Sequence, residues 1–238
     1  MERFAIKNND YEFEMLLFRP KGEVKALVQL VHGMAEHVDR YIPLANFLSA
    51  RGYALCMHNQ RGHGKNAAQL GYFGAGLETL LLDIRLVRER ALEETGAKKY
   101  VLFGHSMGSF MARVFAKECV EPDALILSGT GNTKRGLAVF LRTLALLRCR
   151  LGGAEKPAKL INALAFSSYN RGIKNRKTFF DWLSRDEKEV AKYVSDPLCG
   201  FMFTNYNFLV MADMFLKLDE SSSLNNKKMP ILQNINSK

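Results

Sequence analysis

The stretch GHSMG, residues 104–108, decides the fold class of this chain. It follows an apolar run at 100–103, which is typical of a buried strand, and a helical pattern begins at its serine and continues to residue 118. A serine between two glycines at a strand-to-helix turn is the arrangement in which a sharp turn exposes a nucleophilic hydroxyl. Gly104 and Gly108 leave room for the tight backbone. The alternative is a serine N-cap on an ordinary helix.

A second stretch, VHGMAEH at 31–37, supplies what a nucleophilic serine needs nearby. It follows the apolar strand predicted at 24–31, and Gly33 allows the backbone to turn. Acyl transfer requires N–H donors aimed at the developing oxyanion. We expect the backbone N–H groups of Met34 and Met107 to be these donors. Simple apolar packing of both methionine side chains is compatible with this role, because only the main chain is used.

Strands and helices alternate through the first half of the chain, which predicts an α/β fold with a mostly parallel sheet and helices on both faces. The predicted strands are 3–7, 11–18, 24–31, 53–57, 99–103 and 124–127, and the predicted helices are 41–50, 77–94 and 106–118. Residues 130–205 show helical patterns without a clear strand. We interpret 1–129 as the core, 130–205 as an inserted helical cap (the cap segment below), and 206–238 as a return to the core.

The apolar stretch 137–147 within the cap segment has two interpretations. It is nearly apolar all round and is followed by Arg148 and Arg150. One interpretation is a helix packed into the core of the cap, and the other is a lid that faces lipid.

Composition narrows the possible partners and location. The chain has 238 residues and a net charge of +10, which fits either simple solubility or an anionic partner such as a membrane surface. No nucleic-acid-binding motif accompanies the charge, so no nucleic acid is expected. The four cysteines form no CxxC or Cys/His metal pattern, and no secretory signal or membrane span is found. We therefore expect reduced thiols, no metal and a cytoplasmic protein.

Several motifs occur in an order that resembles the α/β-hydrolase fold, in particular the branch of monoacylglycerol lipases, lysophospholipases and serine aminopeptidase-like hydrolases. The matching pieces are HGMAEH at 32–37, RY at 40–41, QRGHG at 60–64, GHSMGSFMAR at 104–113 and DPLCGF at 196–201. The resemblance implies an acyl-enzyme mechanism on lipid-like carboxylic esters, with Ser106 as nucleophile and no cofactor. Transient contact with a membrane surface is a further expectation.

The remaining polar residues of these motifs are interpreted as structural. Arg61 and His63 are expected to fix their loop. His32, His37 and His105 are expected to be structural or to line a pocket.

The base that such a serine needs is missing from the sequence. In this fold the acid and the histidine follow the serine along the chain. All five histidines lie at or before position 105, and the late strand predicted at 229–232 is followed by QNINSK instead of a Gly-x-x-Asp turn. We therefore expect a C-terminally truncated hydrolase that lacks its last strand or strands and helix. An inactive remnant or acyl-binding module and a serine aminopeptidase-like amidase are the alternatives.

Overall fold

The computed structural model describes residues 1–167, 169–219 and 229–234. The strands in this part of the chain are β1 Glu2–Asn8, β2 Tyr11–Phe18, β3 Ala26–Val31, β4 Tyr53–His58, β5 Tyr100–His105, β6 Ala124–Ser128 and β7 Ile231–Asn234. The α-helices are α1 Ile42–Ser49, α2 Leu77–Thr95, α3 Met107–Glu118, α4 Arg135–Gly152, α5 Lys159–Phe166, α6 Glu187–Ser195 and α7 Asn205–Asp219. In these residues no helix has both the length and the apolar character needed to cross a bilayer.

The strands form one sheet in the order β1-β2-β4-β3-β5-β6-β7. The first two strands form an antiparallel hairpin, and β2 also pairs antiparallel with β4. The pairs β3–β4, β3–β5, β5–β6 and β6–β7 are all parallel. This confirms the predicted mostly parallel sheet. It also means that the C-terminal ends of β3 and β5, where the two functional motifs begin, lie side by side.

Helices cover both faces of the sheet, as predicted. On one face, α1 contributes Ala45 to a core with Leu30, Leu55 and Met57 of the central strands. On the other face, α2 and α3 pack over the same strands in a larger core. Every residue of β3 is buried, which explains the nearly continuous apolar run in its sequence.

The boundaries differ from the prediction by one or two residues at several ends. Strand β3 begins at Ala26, two residues late, and Lys25 instead donates its N–H to the Gly52 carbonyl at 2.9 Å. Helix α3 begins at Met107, because Ser106 has a positive φ of 49° and is not helical. The predicted late strand is found as β7 Ile231–Asn234. Residues 220–228 and 235–238 of the predicted final segment lie outside the described residues.

Helix α4 of the cap segment has one packed side and one exposed apolar side. Ala138 and Ala145 are fully buried, and α4 lies along α7. Leu137, Phe140 and Leu151 are 59%, 58% and 78% exposed. The packed side agrees with the first interpretation of the 137–147 stretch, and the lid that faces lipid stays a prediction.

Candidate active site

The 104–108 turn connects β5 to α3 with a strained residue at its centre. Ser106 has φ 49° and ψ −119°, an unusual conformation for a residue with a side chain. Its N–H donates to the Ser128 carbonyl at 2.8 Å, and its carbonyl accepts from the Ser109 N–H at 2.9 Å. Ser106 occupies the N-cap position of α3, but its side chain makes no capping hydrogen bond. Strain of this kind is characteristic of functional positions.

The two glycines of the turn are required by close packing. A Cβ on Gly104 would lie 2.5 Å from the Gly108 carbonyl oxygen and 2.6 Å from the Ser109 Cα. A Cβ on Gly108 would lie 2.1 Å from the Val31 carbonyl oxygen. The start of α3 therefore rests directly on the backbone at the end of β3, which brings the serine against the 31–37 loop.

The 31–37 loop lies beside the serine. A Cβ on Gly33 would be 3.2 Å from the Ser106 Cβ. The Gly33 N–H donates to the Glu36 carboxylate at 2.5 Å, and the Tyr41 hydroxyl donates to the same oxygen at 2.7 Å. Glu36, which sequence analysis did not single out, thus shapes the turn that presents Met34.

Two backbone N–H groups remain available near the serine. Met107 is the first residue of α3, and an N–H at this position has no acceptor within its own helix. No hydrogen bond uses the Met34 or the Met107 N–H among the residues that the structure describes. These are the two groups that the sequence predicts as oxyanion donors.

Ala35, next to Met34, is held from both the core and the cap segment. Its φ is 53°, a left-handed conformation that costs a residue with a side chain about 1–3 kcal/mol. The Ala35 N–H donates to His63 Nε2 at 3.3 Å. Its carbonyl accepts from the Tyr193 hydroxyl at 2.8 Å and from the Gly200 N–H at 2.9 Å. No sequence pattern indicated these contacts, and the two to the carbonyl join residues more than 150 positions apart.

His32 and His63 are neutral structural side chains. His32 Nε2 accepts from the Gln60 N–H at 3.0 Å, so its proton lies on Nδ1 and is donated to the Gly33 carbonyl at 2.8 Å. His63 donates through Nδ1 to the Arg61 carbonyl at 2.9 Å. Burial lowers the pKa of both imidazoles. Both therefore serve as fixed hydrogen-bond partners for loops.

Arg61 also fixes its loop. Its guanidinium contacts the buried carboxylate of Asp83 on α2, with Nε–Oδ2 at 2.7 Å and Nη2–Oδ1 at 3.2 Å. Asn8 donates to the same carboxylate at 2.6 Å.

The other three histidines also make no hydrogen bond to the serine hydroxyl in the part of the chain that the structure describes. His37 Nε2 donates to Asp196 Oδ2 at 2.8 Å, and His105 Nδ1 lies 3.3 Å from Ser128 Oγ. His58 is fully buried beside Phe13, and burial lowers its pKa to about 4. All five imidazoles lie in the described part of the chain, and none of them hydrogen-bonds Ser106 Oγ there.

Comparison with known proteins identifies the family of this chain. Residues 22–233 match the protein family described as "Serine aminopeptidase, S33". The chain belongs to this family. It is 27% identical over 184 residues to a monoacylglycerol lipase of Mycolicibacterium smegmatis, an alignment that covers 76% of this chain and 59% of the relative. It is 26% identical over 197 residues to the monoglyceride lipase of Mus musculus, covering 76% and 54%. The chain thus spans a little over half the length of these relatives.

The S33 chain also resembles a solved carboxyl esterase from Bacillus coagulans, determined in complex with glycerol. The TM-score is 0.85 at 21% identity, and the match covers 98% of this chain and 89% of the esterase. At this level of identity the likeness concerns the fold. Together with the strand order, it confirms the α/β-hydrolase fold predicted from the motifs.

Proposed function

We propose that this S33 family chain carries the nucleophile and oxyanion half of a carboxylic ester hydrolase site, with monoacylglycerols or lysophospholipids as substrates. The observation that carries the proposal is the strained Ser106, set between two obligatory glycines and directly beside the 31–37 loop. The names of the two monoacylglycerol lipase relatives support the substrate class.

In the proposed mechanism, Ser106 Oγ attacks the ester carbonyl carbon. The carbonyl oxygen becomes negatively charged, and the Met34 and Met107 N–H groups stabilise it. The C–O bond then breaks, the alcohol leaves with a proton, and an acyl group stays on the serine until water displaces it. Each step needs a base and an acid at the serine. The contacts of the described residues include neither, so we expect little turnover by the 238-residue chain.

Two alternatives have specific support. The absence of a hydrogen bond from any of the five imidazoles to Ser106 Oγ, within the part of the chain that the structure describes, favours an acyl-binding module in which Ser106 is not activated. The family description, "Serine aminopeptidase, S33", favours an amidase on the same scaffold. The motifs define the nucleophile but leave the leaving group open.

A simple pair of assays distinguishes these functions. Purified protein is treated with a fluorophosphonate probe and, separately, with p-nitrophenyl esters, a monoacylglycerol and an aminoacyl p-nitroanilide. We expect slow labelling that Ser106→Ala abolishes and Ser49→Ala, a control on α1, leaves unchanged. Without triad partners, turnover stays within roughly 10³–10⁴-fold of the uncatalysed rate.

Three outcomes would change the assignment. Labelling that survives Ser106→Ala would refute the nucleophile. Fast, Ser106-dependent turnover of the esters would refute the unactivated serine. Faster cleavage of the anilide than of the esters would favour the amidase.

Contact with an anionic membrane surface is the second part of the proposal. Residues 130–205 contain 14 Lys and Arg and six Asp and Glu, and so carry +8 of the net +10. The exposed apolar side chains of α4 lie within this basic segment. An apolar helix face amid basic residues is suited to the boundary of anionic lipids. A cytoplasmic location remains a prediction of the sequence.

Vesicle co-sedimentation tests this part. We expect binding to phosphatidylserine-containing vesicles that weakens with salt and is reduced by Phe140→Ser. Phe47→Ser on α1, where the side chain is 51% exposed, is the matched control and should bind like the wild type. Equal binding by both variants, or equal binding to neutral vesicles, would contradict the proposal.

A further inference from the structure

Three side chains with metal-binding atoms meet where the cap segment ends against the 31–37 loop. They are His37, Asp196 and Cys199, and one ligand atom from each lies within 4.8 Å of the other two. His37 and Cys199 are buried, whereas the Asp196 side chain is 27% exposed. Residues 1–167, 169–219 and 229–234 contain no second group of this kind.

A short turn at the end of α6 brings two of the three together. The Cys199 N–H donates to the Asp196 carbonyl at 3.0 Å, so the side chains at positions i and i+3 face the same side. The Leu198 N–H donates to Asp196 Oδ1 at 2.8 Å. This bond fixes one carboxylate oxygen and leaves Oδ2 directed at His37 Nε2, 2.8 Å away.

The turn is fastened to the loop that carries the third residue. Gly200, directly after Cys199, donates its N–H to the Ala35 carbonyl at 2.9 Å. A backbone hydrogen bond that does not involve the three side chains therefore fixes the position of this turn relative to the 31–37 loop. This is the kind of preorganisation that a binding site requires.

The far nitrogen of His37 has a carboxylate partner. Its Nδ1 lies 3.8 Å from Asp39 Oδ2. Metal-bound imidazoles commonly orient their second nitrogen toward a carboxylate, which fixes the tautomer and strengthens the ligand. When a metal binds, the imidazole proton would move from Nε2 to Nδ1, on the side of Asp39, and Nε2 would then coordinate on the side of Asp196 and Cys199.

We propose that His37 Nε2, Asp196 Oδ2 and Cys199 Sγ form a site for a thiophilic divalent cation of the zinc type. One nitrogen, one oxygen and one sulfur ligand are an accepted zinc set, with bonds of about 2.0–2.3 Å. Tetrahedral bonds of that length place ligand atoms roughly 3.2–3.8 Å apart. Metal binding would open the His37–Asp196 contact from 2.8 Å by about half an ångström, and would close by about 1 Å any separation that lies near the 4.8 Å limit of the cluster.

A small cavity lined by His37, Asp39 and Leu198 borders one member of the cluster, His37. A water molecule as the fourth ligand would complete the four-coordination of a zinc-type ion. The thiol sets the preference among cations, because magnesium and calcium favour all-oxygen sites.

The charges around the cluster suit a dication that displaces a proton. A metal-bound cysteine coordinates as the thiolate, so its proton leaves when the metal binds. Arg40 lies close to the thiol, and its positive charge is offset by the Glu36 carboxylate at 3.4 Å. The Cys199 thiolate and the carboxylates of Asp196 and Asp39 together carry three negative charges, one more than the charge of a dication.

Cobalt(II) titration of the tag-free protein tests the site, because cobalt reports a sulfur ligand by a charge-transfer absorption band. We expect one equivalent to bind with this band and excess zinc to abolish it. Cys199→Ser should lose the band, and Asp196→Asn should bind at least tenfold more weakly. Cys119→Ser is the matched control, since its thiol is half-buried and elsewhere, and it should behave like the wild type.

Thermal melting distinguishes a variant that has lost metal binding from one that fails to fold. Zinc should raise the melting temperature of the wild type and of Cys119→Ser, but not that of Cys199→Ser, whose metal-free melt shows whether it is folded. A band that survives in Cys199→Ser, a band lost in Cys119→Ser, or no cobalt binding by the wild type would each overturn the proposal.

Discussion

Replacing Gly108 by alanine tests the close packing of the 104–108 turn against the backbone at the end of β3. The new methyl carbon would lie 2.1 Å from the Val31 carbonyl oxygen and 2.5 Å from that of His32. An unstrained contact between these atom types is more than 1 Å longer. Both oxygens belong to the backbone at the end of β3, so neither can rotate away as a side chain would. Helix α3 and the strand must separate instead.

The size of the effect follows from two opposing contributions. Overpacking a close-packed interior costs about 1–3 kcal/mol, and a clash with backbone on a central strand belongs at the upper end. The higher helix propensity of alanine over glycine stabilises the folded protein by about 1 kcal/mol. The net loss in the free energy of unfolding is therefore about 2 kcal/mol. For a chain of this size, about 2–4 °C of melting temperature is lost per kcal/mol, so we expect a decrease of about 4–8 °C.

Gly136→Ala is the matched control. Gly136 also lies in a helix, near the start of α4, but a Cβ there meets nothing within 4 Å. Without a clash only the helix-propensity term remains, and the variant should be as stable as the wild type or more stable by up to about 1 kcal/mol. Urea unfolding and fluorophosphonate labelling of Ser106 are measured for both. A Gly108→Ala protein within 0.5 kcal/mol of the wild type, roughly the scatter of neutral surface changes, would refute the packing argument.

Three further changes test the supports of the site. Arg61→Ala leaves the Asp83 carboxylate buried without its cation and should cost about 3–5 kcal/mol in urea unfolding at pH 7; a loss below 1 kcal/mol would contradict this. The pKa of His58 is about 4 when folded and about 6.5 when unfolded, so acid favours the unfolded state; stability should fall by up to about 3 kcal/mol between pH 6.5 and 4, and His58→Leu should flatten that slope. Tyr193→Phe removes one donor to the Ala35 carbonyl and should speed amide exchange in the 31–37 loop while costing about 1 kcal/mol; unchanged exchange would show that Gly200 suffices.

The sequence predicted the elements whose signals are local. Every predicted strand up to 127 is found, because alternating buried strands and amphipathic helices leave hydrophobic periods that a single chain displays. The 104–108 turn was predictable for the same reason: the glycines, the serine and the flanking strand and helix are adjacent in sequence. The helical character of α4 was also predictable, but its division into a packed and an exposed side depends on α7, which begins at Asn205.

The contacts that shape the 31–37 loop could not be predicted in this way. Glu36 accepts from Gly33 only three residues away, yet a glutamate in a loop is usually exposed, so the pattern gave no sign of it. Asp196 was part of a recognised motif, but its partner His37 lies 159 positions earlier. The cysteine spacing predicts no metal site, and Cys199, Asp196 and His37 form no sequence pattern that would indicate that they lie together. Their proximity is a property of the folded chain.

The 31–37 loop ties assembly of the site to docking of the cap segment. The left-handed backbone conformation of Ala35 costs about 1–3 kcal/mol, whereas a single neutral hydrogen bond stabilises the fold by only about 1 kcal/mol. The bond from its N–H to His63 is therefore insufficient by itself to hold the conformation. The two bonds that its carbonyl accepts come from Tyr193 and Gly200, both in the cap segment. The core thus holds Ser106 by its own packing, whereas the backbone beside Met34 is held by core contacts and by the end of the cap segment together. A movement of that segment would therefore displace the Met34 N–H, the proposed oxyanion donor, before it disturbed Ser106, the proposed nucleophile.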